Sequence, residues 1–231
     1  MTQLRRLSLL LEDGALWRSA ALAAEGIDRQ TIARALRAGS IARVSRGTYR
    51  IAKPAPEDDV RLAAALKRVP RAVVCLLSAA HHHGLISDKP PELWLAVPAG
   101  GSLPRIEHVP TRILSWRHRG AFDVGISQST QFGVSVAMTN PARTVLDLLR
   151  YEDRIEGGAK IALSAARRLI DGDTSPNDLA SMAAQLACTA DVLAAVEVII
   201  GLASKPAPHD ETDRAPRSPT KGRKAPGRAR R

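Results

Sequence analysis

The sequence predicts an α+β protein: an N-terminal winged helix-turn-helix (residues 1–53), a mixed α/β domain (residues 57–203) with a helical C-terminal half, and a disordered basic tail (residues 204–231). Three observations indicate this order. Short helical segments separated by a glycine precede two strand-like runs. The middle of the chain shows strand and helix patterns and then becomes helical. The tail is rich in Pro, Lys and Arg and lacks hydrophobic periodicity.

Three short helices are predicted in the first 38 residues. Residues 4–11 are rich in leucine and are expected to form a helix that covers the next two. Residues 17–25 contain neither Gly nor Pro, and Gly26 supplies the left-handed residue that ends a helix. Asp28 suits the N-cap of a helix that ends before Gly39. Two helices joined by a tight glycine turn match the helix-turn-helix spacing.

The second helix of this pair has one apolar face and one basic face. Because successive side chains on a helix rotate by about 100°, the apolar face collects Ile32, Ala35 and Leu36. The opposite face collects Gln30, Ala33, Arg34 and Arg37. Gln pairs bidentately with adenine, and Arg pairs with guanine or with phosphate. The pattern therefore favours a recognition helix, although an ordinary amphipathic helix with a solvated basic face has the same pattern.

A β-hairpin is predicted directly after that helix. Residues 41–44 and 48–51 are strand-like runs, and Gly47 between them allows the chain to reverse. The hairpin presents Arg43, Arg46 and Arg50, which can contact the phosphate backbone or the minor groove. We expect Tyr49 to pack in the core. The candidate DNA-binding residues are Arg29, Gln30, Arg34, Arg37, Arg43, Arg46 and Arg50.

The positive charge is confined to the two ends of the chain. The formal net charge is +11. Residues 1–53 hold ten Lys or Arg against four acidic residues, and residues 204–231 hold nine against three. The middle is nearly neutral, with 15 basic and 16 acidic residues. This segregation indicates a nucleic-acid partner with strong salt dependence; the tail is either a basic arm on phosphates or a solubilising extension.

The middle domain is predicted to combine strands with helices. A helix is expected at residues 57–69, then a buried strand or a helix start at 72–77, and a helix at 78–83 that Gly84 ends. The strand candidates are residues 93–97, 112–116 and 134–137. The C-terminal helices are expected at residues 141–150, 158–170, 176–186 and 191–202.

The sequence lacks the common motifs of catalysis and of metal binding, so it gives little support for an enzyme. The chain has no G-x-x-x-x-G-K-[ST] loop, no H-E-x-x-H, no G-x-S-x-G and no paired C-x-x-C. His81, His82 and His83 are consecutive, so they point in different directions on a helix and do not favour a metal site. Arg143 and Asp147 lie one helical turn apart, which favours a structural ion pair. We therefore expect no catalytic site, no metal and no cofactor.

Three segments occur in a fixed order: RVSRGTYR (residues 43–50), SAAHHHGL (78–85) and NPARTVLDLL (140–149). In this order they resemble the AbiEi-type antitoxins of type IV toxin-antitoxin systems, over roughly residues 10–190. The resemblance implies a protein that represses its own operon through the N-terminal domain. It also implies that the C-terminal domain counteracts a nucleotidyltransferase-like toxin, but it assigns no role to any single residue there.

The partners and the location follow from these patterns. We expect double-stranded promoter DNA as one partner, with monomers that bind an inverted repeat cooperatively, and a nucleotidyltransferase-like toxin as the other. No secretory signal opens the chain and the longest apolar run is too short to span a bilayer, so a cytoplasmic protein with reduced Cys75 and Cys188 is expected. Two alternatives stay open: a stand-alone regulator whose middle domain senses a small molecule, and an enzyme with an appended DNA-binding domain.

Overall fold

A computed structural model describes residues 2–106, 109–118, 120–172 and 175–203. It shows a mixed α/β protein with two sheets. We call residues 2–53 the N-terminal segment and residues 57–203 the second segment. The tail that the sequence predicts to be disordered, residues 204–231, lies outside the described residues.

The N-terminal segment contains the three helices that the sequence predicts. They are α1 (Gln3–Leu10), α2 (Ser19–Ala24) and α3 (Arg29–Arg37). Asp28 is the N-cap of α3, as predicted, and its side chain accepts a 2.6 Å hydrogen bond from the Thr31 N–H. The Thr31 hydroxyl in turn donates to Gln3 Oε1 at 2.7 Å. Because Gln3 begins α1, this bond fixes α1 against the first turn of α3.

A three-stranded antiparallel sheet completes the N-terminal segment. Its strands are β1 (Trp17–Arg18), β2 (Ile41–Ser45) and β3 (Thr48–Ile51), in the order β1-β3-β2. The β2–β3 hairpin is as predicted, but the predicted helix over residues 17–25 is wrong at its start. Trp17 and Arg18 instead pair with Tyr49 and Thr48. Strand pairing satisfies their backbone groups, and helix propensity alone could not reveal that partner.

The core of the N-terminal segment lies between its helices and its sheet. Leu7, Leu22 and Ile32 come from the three helices and are at most 5% exposed. They pack with Ile41 of β2 and with Tyr49 of β3. Ile32 and Ala35 of the predicted apolar face of α3 are buried and Leu36 is half-buried, while Tyr49 is half-buried and packs against this core.

A five-stranded mixed sheet forms the centre of the second segment. The elements that lead into it are α4 (Glu57–Arg68), β4 (Val73–Val74), α5 (Leu76–His82), β5 (Leu93–Pro98), β6 (Thr111–Trp116), β7 (Ile126–Gln131) and β8 (Val134–Thr139). The strand order is β6-β5-β4-β8-β7. The sequence pattern does not predict β7, which is polar along most of its length. Among the described residues it pairs with β8 alone, at the edge of the sheet, and most of its side chains are exposed, so it needs no apolar pattern.

Helices cover both faces of this sheet. One face packs Leu95 and Val97 of β5 against α4. The other packs Trp94 of β5 and Trp116 of β6 against the helical C-terminal half. That half consists of α6 (Pro141–Arg150), a 3₁₀ turn (Glu152–Arg154), α7 (Gly158–Ile170), α8 (Pro176–Gln185) and α9 (Ala190–Ala203). The predicted helical half is confirmed, with bounds shifted by one residue at most.

The two segments are packed against each other around Leu16. Its N–H donates to the Phe132 carbonyl at 2.9 Å, and its own carbonyl accepts from Lys67 Nζ. Phe132 and Gly133 form the two-residue β7–β8 turn, and both have positive φ (50° and 68°). A Cβ on Gly133 would lie 2.8 Å from the Cβ of Ala15, so glycine is needed for this close approach.

Candidate nucleic-acid interface

The outward face of α3 presents the polar side chains that the sequence predicts. Gln30, Arg34 and Arg37 are exposed, whereas Thr31, Ile32 and Ala35 on the inner side are buried. The Arg34 side chain is partly ordered, because its Nη2 donates to the Thr31 hydroxyl at 3.1 Å. Arg37 bends back along the helix, and its Nε lies 3.4 Å from the Ala33 carbonyl. One glutamine and two arginines are thus displayed on a single helix surface.

Beside this face lies a groove of about 500 Å³ between α3 and the β2–β3 hairpin. We call it the basic groove. Its arginines are Arg18, Arg29, Arg43, Arg46 and Arg68. Ile32 and Tyr49 also line it. In the part of the chain that the structure describes, no acidic side chain lines the groove and none of these arginines forms an ion pair. The five guanidiniums therefore have no anionic partner among the described residues.

The backbone around the groove explains how arginines from separate elements come together. The Ser19 N–H at the start of α2 donates to the Gly47 carbonyl at 2.8 Å, which holds the hairpin turn against the helix pair. Gly47 has a φ of 72° and allows the chain to reverse after Arg46. The Arg43 side chain lies on the same side of the sheet as its cross-strand partner Tyr49. The groove thus combines α3 and the hairpin with Arg18 of β1 and Arg68 of α4.

Arg50 does not lie in the basic groove. It is directly opposite Ala42 and follows Tyr49, so its side chain points to the other side of the sheet from Arg43. There its Nη1 donates to the Ile51 carbonyl at 3.0 Å and to the Lys53 carbonyl at 2.5 Å. Of the predicted residues, Arg29, Arg43 and Arg46 come together in the basic groove. Arg50 instead binds backbone carbonyls at the start of the connector between the segments.

Two groove arginines were missed by the sequence analysis. Arg18 was assigned to a helix, which gave it no fixed relation to the hairpin, whereas in β1 it pairs with Thr48. Arg68 is at the C-terminal end of α4, outside the predicted DNA-binding domain. No local signal could have found it, because the five-residue connector after β3 fixes only where α4 begins and Arg68 is at the other end of that helix.

The positive potential of this region also affects a neighbouring lysine. Burial lowers the pKa of Lys67, and the nearby Arg18 guanidinium lowers it further. Both effects disfavour the charged ammonium. Asp28 shows the reverse effect. The hydrogen bond from the Thr31 backbone N–H lowers the pKa of this carboxyl, which favours its charged form at the N-terminus of α3.

The N-terminal segment carries these features in a stretch that has known relatives. Residues 5–52 match a family described as "Transcriptional regulator, AbiEi antitoxin". The resemblance that the sequence analysis found is confirmed for this stretch, which includes α3 and four of the five groove arginines. The match indicates a role of the antitoxin and transcriptional-regulator kind. It contains no residue of the second segment.

The fold as a whole is similar to a solved structure. The crystal structure of the RV2827C protein from Mycobacterium tuberculosis aligns with a TM-score of 0.56 and 16% sequence identity. The alignment covers 87% of this chain and 77% of that chain. At this identity the likeness concerns the fold alone. Among curated proteins, none matches this sequence.

The second segment contains the two other motifs that the sequence analysis weighed. Arg143 and Asp147 form a buried ion pair, as predicted. The ring of His83 shares a 2.7 Å hydrogen bond with the Thr139 carbonyl, and burial lowers the pKa of this histidine. Within the described ranges, no three His, Cys, Asp or Glu side chains are grouped as a metal site would require. The helices described there are also all too short or too polar to cross a bilayer.

Proposed function

We propose that this protein is a transcriptional regulator that binds double-stranded DNA with α3 in the major groove. In this proposal residues 2–53 act as a winged helix-turn-helix, and the β2–β3 hairpin is the wing. The observation that carries it is the position of the basic groove directly beside the exposed face of α3. An α-helix with its side chains is about 10–12 Å in diameter, and the major groove, about 12 Å wide, admits one.

The two parts of the interface have different tasks. Gln30, Arg34 and Arg37 are on the exposed helix face, from which side chains reach base edges. The groove arginines lie beside the N-terminal half of α3 and are suited to phosphates. Phosphate contacts fix the register of a protein on the duplex. Most of the affinity then comes from the groove, and most of the sequence preference comes from α3.

The further parts of the proposal rest on the family that residues 5–52 match. We propose that the DNA is the promoter of the protein's own operon, and that the protein acts in the cytoplasm as a non-enzymatic repressor. The second segment would counteract a nucleotidyltransferase-like toxin. Its helical half packs on the sheet face opposite α4, away from α3 and the basic groove, so DNA bound at α3 would leave it free to contact such a partner.

The DNA-binding proposal is tested by fluorescence anisotropy with the upstream region of the gene and with scrambled DNA. The variant Arg34→Gln/Arg37→Gln removes two charges from α3. The control Lys160→Gln/Arg167→Gln removes two charges from exposed positions on α7. We expect the first variant to lose about tenfold or more of its preference for the upstream region, since one good base contact is worth about 1–3 kcal/mol. Equal preference in both variants would overturn the assignment of α3.

The antitoxin proposal needs a separate experiment. The candidate cognate toxin, a nucleotidyltransferase-like protein, is expressed in cells together with the full chain or with Arg34→Gln/Arg37→Gln. We expect both proteins to restore growth when expressed from an unrelated promoter, because α3 serves DNA binding and the second segment serves neutralisation. Failure of both to restore growth would contradict the antitoxin role and leave the DNA-binding role untouched.

A further inference from the structure

A second basic cavity lies in the second segment, at the outer edge of the five-stranded sheet. It has a volume of about 910 Å³ and is bounded by β6, the end of α6 and the following 3₁₀ turn. We call it the arginine pocket. Its cationic side chains are Arg112, Arg117, Arg150 and Arg154, and its aromatic side chains are Trp94 and Tyr151. This pocket is not part of the stretch that matches the AbiEi family.

The charges of the arginine pocket are not balanced. Asp153 is the one acidic residue among the described residues that line it. In the described part of the chain, none of the four arginines forms an ion pair. His118, which also lines the pocket, adds no charge near neutral pH, because burial and then Arg150 and Arg143 lower its pKa to about 4. Four guanidiniums against one carboxylate repel each other, and an anionic ligand would relieve that repulsion.

Two of the guanidiniums lie over aromatic rings. The Arg112 guanidinium lies 5.0 Å from the centre of the Trp94 ring, and the Arg154 guanidinium lies 5.6 Å from that of Tyr151. A cation–π contact uses none of the N–H groups of a guanidinium, so they stay free to donate. This planar fork suits the paired oxygens of a phosphate. The contacts with the rings thus hold the donors of Arg112 and Arg154 at the pocket.

A third guanidinium is fixed by the helical half of the protein. Arg150 Nη2 donates to the Leu186 carbonyl at 3.3 Å and lies 3.2 Å from Cys188 Sγ. Its Nη1 is buried and has no acceptor among the described residues. A buried donor without an acceptor costs stability, whereas the contacts of Nη2 hold the Arg150 side chain at the wall of the pocket.

The arginine pocket and the basic groove lie on opposite faces of the sheet. Trp94 and Leu114 belong to the face that packs on the helical half. The other face packs on α4, whose last residue Arg68 lines the basic groove. A duplex held by α3 and the basic groove therefore leaves the arginine pocket open.

We propose that the arginine pocket binds a soluble nucleotide through its phosphate groups. The volume lies within the range of about 300–1,000 Å³ that is typical of small-molecule sites. A nucleoside triphosphate carries the negative charge that the unpaired arginines lack, and Leu103 and Leu114 add apolar lining beside them. The regulator would thus have a small-molecule site that is separate from its DNA-binding surface.

The test is isothermal titration calorimetry of the full chain with ATP and with GTP, and with adenosine for comparison. At least one of the two nucleotides is expected to bind with a Kd well below about 1 mM, and adenosine about tenfold or more weakly, a difference of about 1.4 kcal/mol. Inorganic pyrophosphate should compete with the bound nucleotide, because the phosphate groups carry the recognition. Absence of binding by both nucleotides at about 1 mM would overturn the proposal.

Variants locate the binding to the pocket. Arg112→Gln/Arg154→Gln alters two exposed side chains, so the fold is expected to persist, and thermal unfolding checks this. We expect about a tenfold or larger loss of nucleotide affinity, with unchanged affinity for the upstream DNA. Arg34→Gln/Arg37→Gln should keep its nucleotide affinity and lose affinity for the upstream DNA. Both variants retain the basic residues 204–231, so these cannot explain a difference between them. Nucleotide affinity that is equal in the two variants would contradict the proposal, whether or not α3 binds DNA.

Discussion

Arg143 and Asp147 form an ion pair inside the protein: Nε lies 2.8 Å from Oδ2, and the two side chains are 0% and 1% exposed. The remaining nitrogens of Arg143 are also used. They donate to the carbonyls of Gly120, Ala121 and Val124 and to the ring of His118. Because an arginine can only donate, His118 Nε2 is the acceptor and its proton is on Nδ1. One side chain thus fixes the loop between β6 and β7 against α6.

Removal of one partner of this pair is expected to destabilise the protein strongly. Arg143→Met leaves Asp147 and several loop carbonyls buried without a donor, so we expect a loss of about 3–5 kcal/mol in the free energy of unfolding. The double variant Arg143→Met/Asp147→Leu should lose less than the sum of the two single variants, because no charge stays buried alone. Urea unfolding measures both.

The surface pair Arg61–Glu57 is the control for that experiment. Its side chains are 52% and 76% exposed. Water screens such a pair, so Arg61→Gln should change the free energy of unfolding by less than about 1 kcal/mol. A loss of similar size at Arg61 and at Arg143 would contradict the role of burial.

Asp147 is also expected to make stability depend on pH. Burial raises the pKa of this carboxyl from 3.8 to about 6, although Arg143 opposes the shift. Between these two values the folded state binds more protons than the unfolded state, so the contribution of Asp147 to stability falls as the pH rises from about 4 to about 6. The free energy of unfolding of the wild type relative to Asp147→Asn should fall over this interval. A rise there would show that Arg143 keeps the carboxylate charged.

His118 acts in the opposite direction. Its pKa of about 4, against an ordinary value of 6.5, means that the folded state binds fewer protons than the unfolded state over this range. The contribution of His118 is therefore fully present above pH 6.5 and is lost as the pH falls towards 4. Relative to His118→Gln, the wild type should lose stability on acidification. Parallel curves for the two proteins would indicate that this imidazole is not desolvated.

The sequence predicted most elements correctly because their signals are local. The apolar face of α3 and its Asp28 cap follow from residues within one helix, and both are present in the structure. Trp17 and Arg18 were misassigned because their partner strand lies some 30 residues later in the chain. In the same way, Arg68 joins the basic groove only through the packing of α4 against the hairpin, a relation that no local pattern contains.

Gly158 is expected to tolerate no larger side chain. It is the first residue of α7, and a Cβ there would overlap the carbonyl oxygen of Glu152 in the preceding 3₁₀ turn. Gly158→Ala must therefore displace backbone, and we expect a loss of about 1–3 kcal/mol or more in the free energy of unfolding. Gly201→Ala is the matched control within α9, because a Cβ added there would meet no other element of the described chain within 4 Å. Alanine favours a helix, so this variant should gain up to about 1 kcal/mol. Thermal unfolding distinguishes the two outcomes.

The last prediction separates the two tasks of the proposed DNA interface by their salt dependence. Arg18 and Arg68 line the basic groove but are not on the exposed face of α3, so they are assigned to phosphates. Each of Arg18→Gln and Arg68→Gln should weaken binding to the upstream DNA and to scrambled DNA about equally. Each should also reduce the slope of log K against log salt by about 0.9, the value for one phosphate contact.

Anisotropy titrations at several salt concentrations measure this slope, and Lys160→Gln on α7 is the control of equal charge. An unchanged slope for Arg18→Gln and Arg68→Gln would mean that the groove does not meet the backbone. A change in sequence preference instead of slope would place these two arginines at base edges, and the division of tasks between the groove and α3 would then be wrong.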